Sequence, residues 1–207
     1  MRQYSIDARN IKNPIYPCPI KMGGKNANGQ MLSIGNYYLS LNGKPFFGIC
    51  GEAHFSRMNR ELWEDEIIKM KAGGLNIIAT YIFWIHHEEI EGTFDFSGNK
   101  DLRIFLELCK KNHMYVILRI GPFSHGECRN GGFPDWIYGQ PFDIRCDDPS
   151  YLYYTRRFYE QIYQQAKGLL FKDNGPVIGV QLENEHEHAS CPWEMTTENS
   201  KEWVVSG

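Results

Sequence analysis

No stretch of the chain approaches the run of about 18 apolar residues that a membrane-spanning helix requires. Basic charge is in no excess either: 22 Lys and Arg stand against 25 Asp and Glu, a net charge of −3. A surface that neutralises phosphates needs the opposite balance, so neither nucleic acid nor an anionic membrane is expected as the main partner. Met1 to Asp7 contain no apolar signal core, which reads as a cytoplasmic chain or one whose export signal lies outside this sequence. The six cysteines, Cys18, Cys50, Cys109, Cys128, Cys146 and Cys191, include no Cys-x-x-Cys pair. A zinc ribbon and a thioredoxin-type motif are therefore unsupported, and free thiols are expected. No Gly-x-Gly-x-x-Gly follows the first strand and no phosphate-binding Lys-Ser/Thr loop occurs, so no cofactor is expected.

What is present is a globular composition. Over 207 residues, 42% are hydrophobic and 14% aromatic, enough for one domain with a sizeable core. Residues 1–30 are rich in Pro, Gly and Asn and read as an irregular leader; 31–207 read as the structured part. Asn42-Gly43 between Tyr37–Leu41 and Pro45–Cys50 predicts a hairpin. Strand and helix then alternate. Strands are expected near 46–50, 77–81, 115–120 and 177–182, the third apolar enough to be buried on both faces. Asn59 is expected to cap a helix carrying Trp63, Ile67 and Met70, ended by Gly73-Gly74. A second helix places Leu102, Phe105, Leu106 and Cys109 at i, i+3, i+4, i+7. A third starts at Asp148-Pro149 and has Tyr159, Ile162, Tyr163, Ala166 and Leu170 along one side.

Such alternation means a parallel sheet, either open or closed into a barrel. Polar and aromatic residues gather just after all four strands: Glu52 and His54, Trp84 to Glu88, Ser124 to Arg129, and Asn184 to His188. Barrels build their sites from those loops, so a (β/α)8 barrel is expected, with about its first four β/α units in this chain. Strand alternation would put Gln181, Glu183 and Glu185 on one side. A carboxylate beside apolar strands is costly unless its raised pKa serves proton donation. The competing reading is an acidic helix N-terminal turn.

Asn174-Gly175-Pro176-Val177-Ile178-Gly179-Val180-Gln181-Leu182-Glu183-Asn184-Glu185 resembles the active-site signature of glycoside hydrolase family 35, the β-galactosidases. Further segments match in order: Leu41 to Pro45, Gly51 to Arg57, Gly73 to Asn76, Thr80 to Trp84 with His87, Glu88 and Gly92, Arg119 to Phe123, then Glu127 and Gly131 to Trp136. The resemblance implies a retaining β-glycosidase acting on a β-galactoside. Glu185 takes the acid/base position, and Asn184, Glu127 and Tyr81 take substrate-binding positions, with His125 and Gly126 beside them. The family's nucleophile is a Glu after a later strand, so this chain would be an incomplete, inactive catalytic domain that lacks the C-terminal half of its barrel. The chain departs from the family at Ile85, where Asn is usual, at His125-Gly126, where Cys-Ala is usual, and at Cys128, where Trp is usual. Two alternatives stay open: a related retaining β-glycosidase for another sugar, and a non-catalytic carbohydrate-binding fragment.

No metal site is expected. Glu185-His186-Glu187-His188 with Cys191 offers an incomplete ligand set, and His86-His87-Glu88 reads better as scaffold. Arg57 is expected to pair with a site carboxylate or to cap a loop, and Trp84 to stack on a sugar or to pack under the barrel top. A Cys128–His125 nucleophile has no other support.

Overall fold

The computed structural model describes residues 14–18 and 22–185. The chain divides into two compact units, residues 1–47 and residues 48–207.

The first unit holds an antiparallel sheet of β1 (Gly23–Lys25), β2 (Met31–Ile34), β3 (Leu39–Leu41) and β4 (Lys44–Phe46), in that order. The hairpin forms at Asn42-Gly43, where both residues adopt left-handed backbone, φ 54° and 73°. That geometry matches the twist of the flanking strands. The expected irregular leader thus ends earlier than residue 30: Gly23–Lys25 pair with Met31–Ser33 around a turn closed by Asn26 and Gln30.

The second unit carries a parallel sheet of β5 (Cys50–Glu52), β6 (Ile77–Tyr81), β7 (Tyr115–Gly121) and β8 (Val177–Leu182), in sequential order. Three of the four expected strands stand where the pattern put them. The first does not. Residues 44–46 belong to the hairpin, and the parallel strand begins at Cys50. An apolar run of five residues was divided between two sheets, which periodicity cannot resolve.

The connecting helices are α1 (Trp63–Ala72), the short α2 (Trp84–His87), α3 (Leu102–Lys111) and α4 (Pro149–Ala166). The Asn59 side chain accepts from Glu61 N and caps a 3₁₀ turn that runs into α1. Glu64, Asp65 and Glu66 then favour the α1 N-terminus, while Lys69 and Lys71 favour its C-terminus. α3 buries the four residues its spacing predicts. α4 is capped by Asp148, which accepts from Ser150 N and Tyr151 N, with Pro149 in the first turn. Its buried face is Tyr151, Thr155, Phe158, Ile162 and Ala166, rotated from the expected stripe; Tyr163 is exposed and Leu170 lies beyond the helix end. Aromatics on every side of this helix make several stripes look alike.

The core joins Phe55, Trp63, Phe105, Phe133, Phe158 and the aliphatic residues of β6 and β7. In β7 only Val116, Leu118 and Ile120 are fully buried, while Tyr115, Ile117 and Arg119 are half-buried. The expectation of burial on both faces therefore fails for β7. One face meets the core, and the other ends in the polar groups described next.

Candidate active site

Three strand ends converge on one amide. Tyr81 closes β6, and its hydroxyl donates to Asn184 Oδ1 at 2.9 Å. Arg119, near the end of β7, donates to the same oxygen through Nη2 at 2.8 Å. Gln181 of β8 adds a third donor at 3.2 Å. Three donors on one atom fix it as the oxygen, so the Asn184 NH2 group is turned outward with its two hydrogens available to a ligand.

Arg119 is itself held. It forms an ion pair with Glu52, at the end of β5, and its guanidinium carbon lies 3.7 Å from the centre of the Tyr81 ring. Burial, reinforced by the carboxylates of Glu185 and Glu127, pushes the Tyr81 hydroxyl up to about 12. Tyr81 is therefore a neutral donor at physiological pH. His54 accepts from Tyr81 N through Nδ1, 3.3 Å, which leaves its proton on Nε2, facing Glu52. Burial and then Arg57 lower the His54 pKa.

The two carboxylates at the end of β8 part company. The strand stops at Leu182, and Glu183 enters left-handed backbone, φ 57°. Alternation ends there, so Glu183 does not share a side with Gln181 and Glu185 as expected. Its carboxylate is buried against Arg145, which donates from Nε at 3.1 Å and from Nη2 at 2.6 Å. Phe123 N and Asn184 N also donate to it, both at 3.3 Å. Burial pushes the Glu183 carboxyl up, and Arg145 with the two backbone donors pulls it back. The raised carboxyl sought in the sequence is thus a structural one. Glu185 is exposed, also left-handed at φ 44°, and its charge reaches Tyr81 and Arg119.

The loop after β7 presents Glu127 through three consecutive left-handed residues, His125, Gly126 and Glu127, with φ 55°, 49° and 46°. Glu127 is exposed and acts on Tyr81 and His54 through its charge. A Cβ on Gly126 would come within 3.1 Å of the Phe83 ring, and the Gly126 carbonyl accepts from Arg57 at 2.7 Å. The exposed His125 ring lies edge-on to Phe123, 5.9 Å between centroids, with no hydrogen bond to Tyr81 or Asn184. Tyr81, Asn184, Glu185 and Glu127 form one electrostatic cluster; the His125 side chain is not joined to it.

Sequence reasoning missed Arg145, Arg119 and Glu52 as site-supporting groups. Arg145 lies in a loop without periodicity, and only its isolation among Asp143, Asp147 and Asp148 marks it. Arg119 and Glu52 were visible as charges ending apolar strands.

Beneath the site, Trp84 is fully buried and stacks on Phe158 at 4.9 Å with 2° between planes, so it packs and does not face a ligand. Glu88 is also fully buried, bonded to Trp84 Nε1 at 2.7 Å, Gly92 N at 2.8 Å and Arg157 at 2.8 Å. His87 packs on Phe96. The His86–Glu88 cluster is scaffold, and Arg57 holds a loop carbonyl. Among the described residues no group of three His, Cys, Asp or Glu is placed to hold a metal. Residues 186–191 lie outside the described part. Cys18, Cys50, Cys109, Cys128 and Cys146 are free thiols.

The family model of the glycosyl hydrolases of family 35 matches residues 38–206. The β-galactosidase of Xanthomonas manihotis is 35% identical over 167 residues, 80% of this chain and 28% of that protein. The Homo sapiens β-galactosidase is 38% identical over 167 residues, 79% of this chain and 25% of that protein. The chain thus spans about a quarter of the length of these relatives. Among solved structures, an exo-β-1,4-mannosidase from Opitutaceae bacterium strain TAV5 is similar at TM-score 0.55 and 16% identity, over 81% of this chain and 27% of that one. A β-galactosidase from Halorubrum lacusprofundi is similar at TM-score 0.51 and 22% identity, over 77% and 24%. These likenesses concern the fold, and the parallel sheet is part of a (β/α) barrel.

Proposed function

The chain belongs to the glycosyl hydrolases of family 35, and from that premise we propose that the protein containing it is a retaining β-glycosidase that releases terminal β-linked galactose. Glu185 is the general acid/base. It protonates the leaving oxygen while a second carboxylate attacks the anomeric carbon, and it then takes a proton from the water that releases the sugar. The two carboxyls of a retaining pair stand about 5–5.5 Å apart. The nucleophile is assigned to residues outside this sequence, so the 207-residue chain alone should not turn over.

One observation carries the reading: the Asn184 amide, locked by Tyr81, Arg119 and Gln181, turns its NH2 group outward immediately before Glu185. A sugar hydroxyl accepts from that group. Tyr81 and Glu127 supply further polar contacts, and Gly126 lets the loop lie against Phe83. Against this reading of the sugar stand Ile85, His125 and Cys128, where the family pattern differs.

The test is hydrolysis of nitrophenyl β-galactoside by the full-length protein and its Glu185→Gln variant. Loss of general acid help is worth about 10²–10⁴-fold with poor leaving groups, less with nitrophenol. Azide should partly restore the variant by replacing the base-activated water. Rescue that follows Glu183→Gln, and not Glu185→Gln, would overturn the assignment. A large preference in kcat/KM for another β-glycoside would move the substrate to that sugar.

A further inference from the structure

Beside Glu127 the loops after β5, β6 and β7 enclose a cavity of about 430 Å³, within the range of small-molecule clefts. Arg57, Ile85, His86, Glu89, Glu127 and Cys128 line it. Its polar groups are held in place before any ligand arrives. Arg57 is fixed by the Gly126 carbonyl at 2.7 Å and by the Phe83 ring, 4.3 Å from its guanidinium carbon. His86 Nδ1 is fixed by Ser56 Oγ at 2.9 Å. The left-handed backbone at Glu127 sets where its carboxylate is presented.

The charges select the ligand. Two further lining cations are already paired, Lys100 with Asp95 and Arg129 with Asp135. Among the described residues Glu89 and Glu127 carry no hydrogen bond or ion pair, and Arg57 meets only a carbonyl and a ring. Unpaired carboxylates repel an anion, and Arg57 repels a cation. What remains is a neutral ligand that both donates and accepts hydrogen bonds and lays an apolar face on Ile85 and Cys128. A hexose has that chemistry.

The cavity also has a direction. Glu127 lines it and acts on Tyr81, whose hydroxyl reaches Asn184. Glu185, where the leaving group departs, follows β8 and does not line it. We propose that this cavity is a second carbohydrate subsite, which takes a neutral hexose attached to the galactose on the side away from the scissile bond. This rests on the glycosidase reading above and deepens it: the preferred substrate is an extended glycone.

The experiment compares nitrophenyl β-galactoside with nitrophenyl glycosides of the differently linked galactobioses, using the full-length protein. Release of nitrophenol from one galactobioside should exceed that from the monosaccharide by about tenfold or more in kcat/KM, chiefly through KM. Glu89→Gln, on an exposed side chain, and Cys128→Trp, which fills the cavity, should each remove that advantage and leave nitrophenyl β-galactoside hydrolysis unchanged. No advantage for any galactobioside, or equal loss on both substrates in both variants, overturns the subsite while the glycosidase reading stands. If neither substrate is cleaved, the glycosidase reading fails. Calorimetry then decides the subsite alone: free galactobiose must bind more tightly than galactose, and Cys128→Trp must abolish the difference.

Discussion

At the scale of single residues, the site depends on groups that never touch a ligand. Arg145 is buried, left-handed at φ 59°, stacked 3.9 Å from the centre of Phe123, and bonded both to Glu183 and to the Asn184 carbonyl at 3.1 Å. Its pair with Glu183 therefore holds the segment that presents Asn184 and Glu185. Removing one partner of a buried pair strands a charge, at about 3–5 kcal/mol. Arg145→Met should lower the urea midpoint accordingly. The Arg145→Met, Glu183→Leu double variant should recover part of that stability, because no lone charge remains buried. Tyr81→Phe tests the other side of the site. It deletes one of three donors to Asn184 Oδ1, a loss of about 1 kcal/mol in hydrogen bonding. Nitrophenyl β-galactoside hydrolysis by the full-length protein should fall by roughly tenfold in kcat/KM with the fold intact by circular dichroism.

At the scale of elements, α2 is a single turn made rigid from below by Trp84, His87 and Glu88. His87 is fully buried, donates or accepts at Asp95 O through Nδ1 at 3.0 Å, and burial lowers its pKa from 6.5 to about 4. The sign follows from the lowered value. Above pH 6.5 neither state binds the proton and the full stability is present. As the pH falls from 6.5 towards 4, the unfolded chain takes a proton that the folded one refuses, and stability is lost. Below about 4 the loss from this group stops growing, at about 3 kcal/mol. Urea unfolding at pH 7 and pH 4.5 should show this loss, and His87→Gln should flatten the dependence while lowering stability at pH 7. The cap of α4 offers a simpler check. Asp148→Ala removes the acceptor of Ser150 N at 2.7 Å and should cost about 1 kcal/mol in the same unfolding assay.

At the scale of the whole molecule, the parallel sheet has two outer strands, β5 and β8, each paired on one side only among the described residues. Ile49 and Val180 are exposed large apolar side chains at or beside those strands. Unpaired edges with apolar neighbours recruit further chains. The 207-residue polypeptide expressed alone should therefore self-associate, with sedimentation velocity showing species larger than the 24.1 kDa monomer. A single monomeric boundary across the concentration range would contradict that expectation.

Much was legible in the sequence because local rules governed it. Asn42-Gly43 set the hairpin, Asp148-Pro149 started α4, and the spacing of Leu102, Phe105, Leu106 and Cys109 gave the buried face of α3. Three parallel strands followed from short apolar runs, and the ordered motifs from Leu41 to Glu187 marked the family. Tertiary structure decided the rest, because each point turned on long-range contact. It split 44–52 between two sheets, since both partners lie elsewhere in the chain. It turned Glu183 away from Glu185, since Arg145 waits 38 residues upstream to pair with it. It made Trp84 a packing residue by stacking Phe158 on it. And it oriented the Asn184 amide through donors from three strands, an arrangement no linear spacing encodes, because hydrogen-bond direction is settled only when all the donors are assembled around one oxygen.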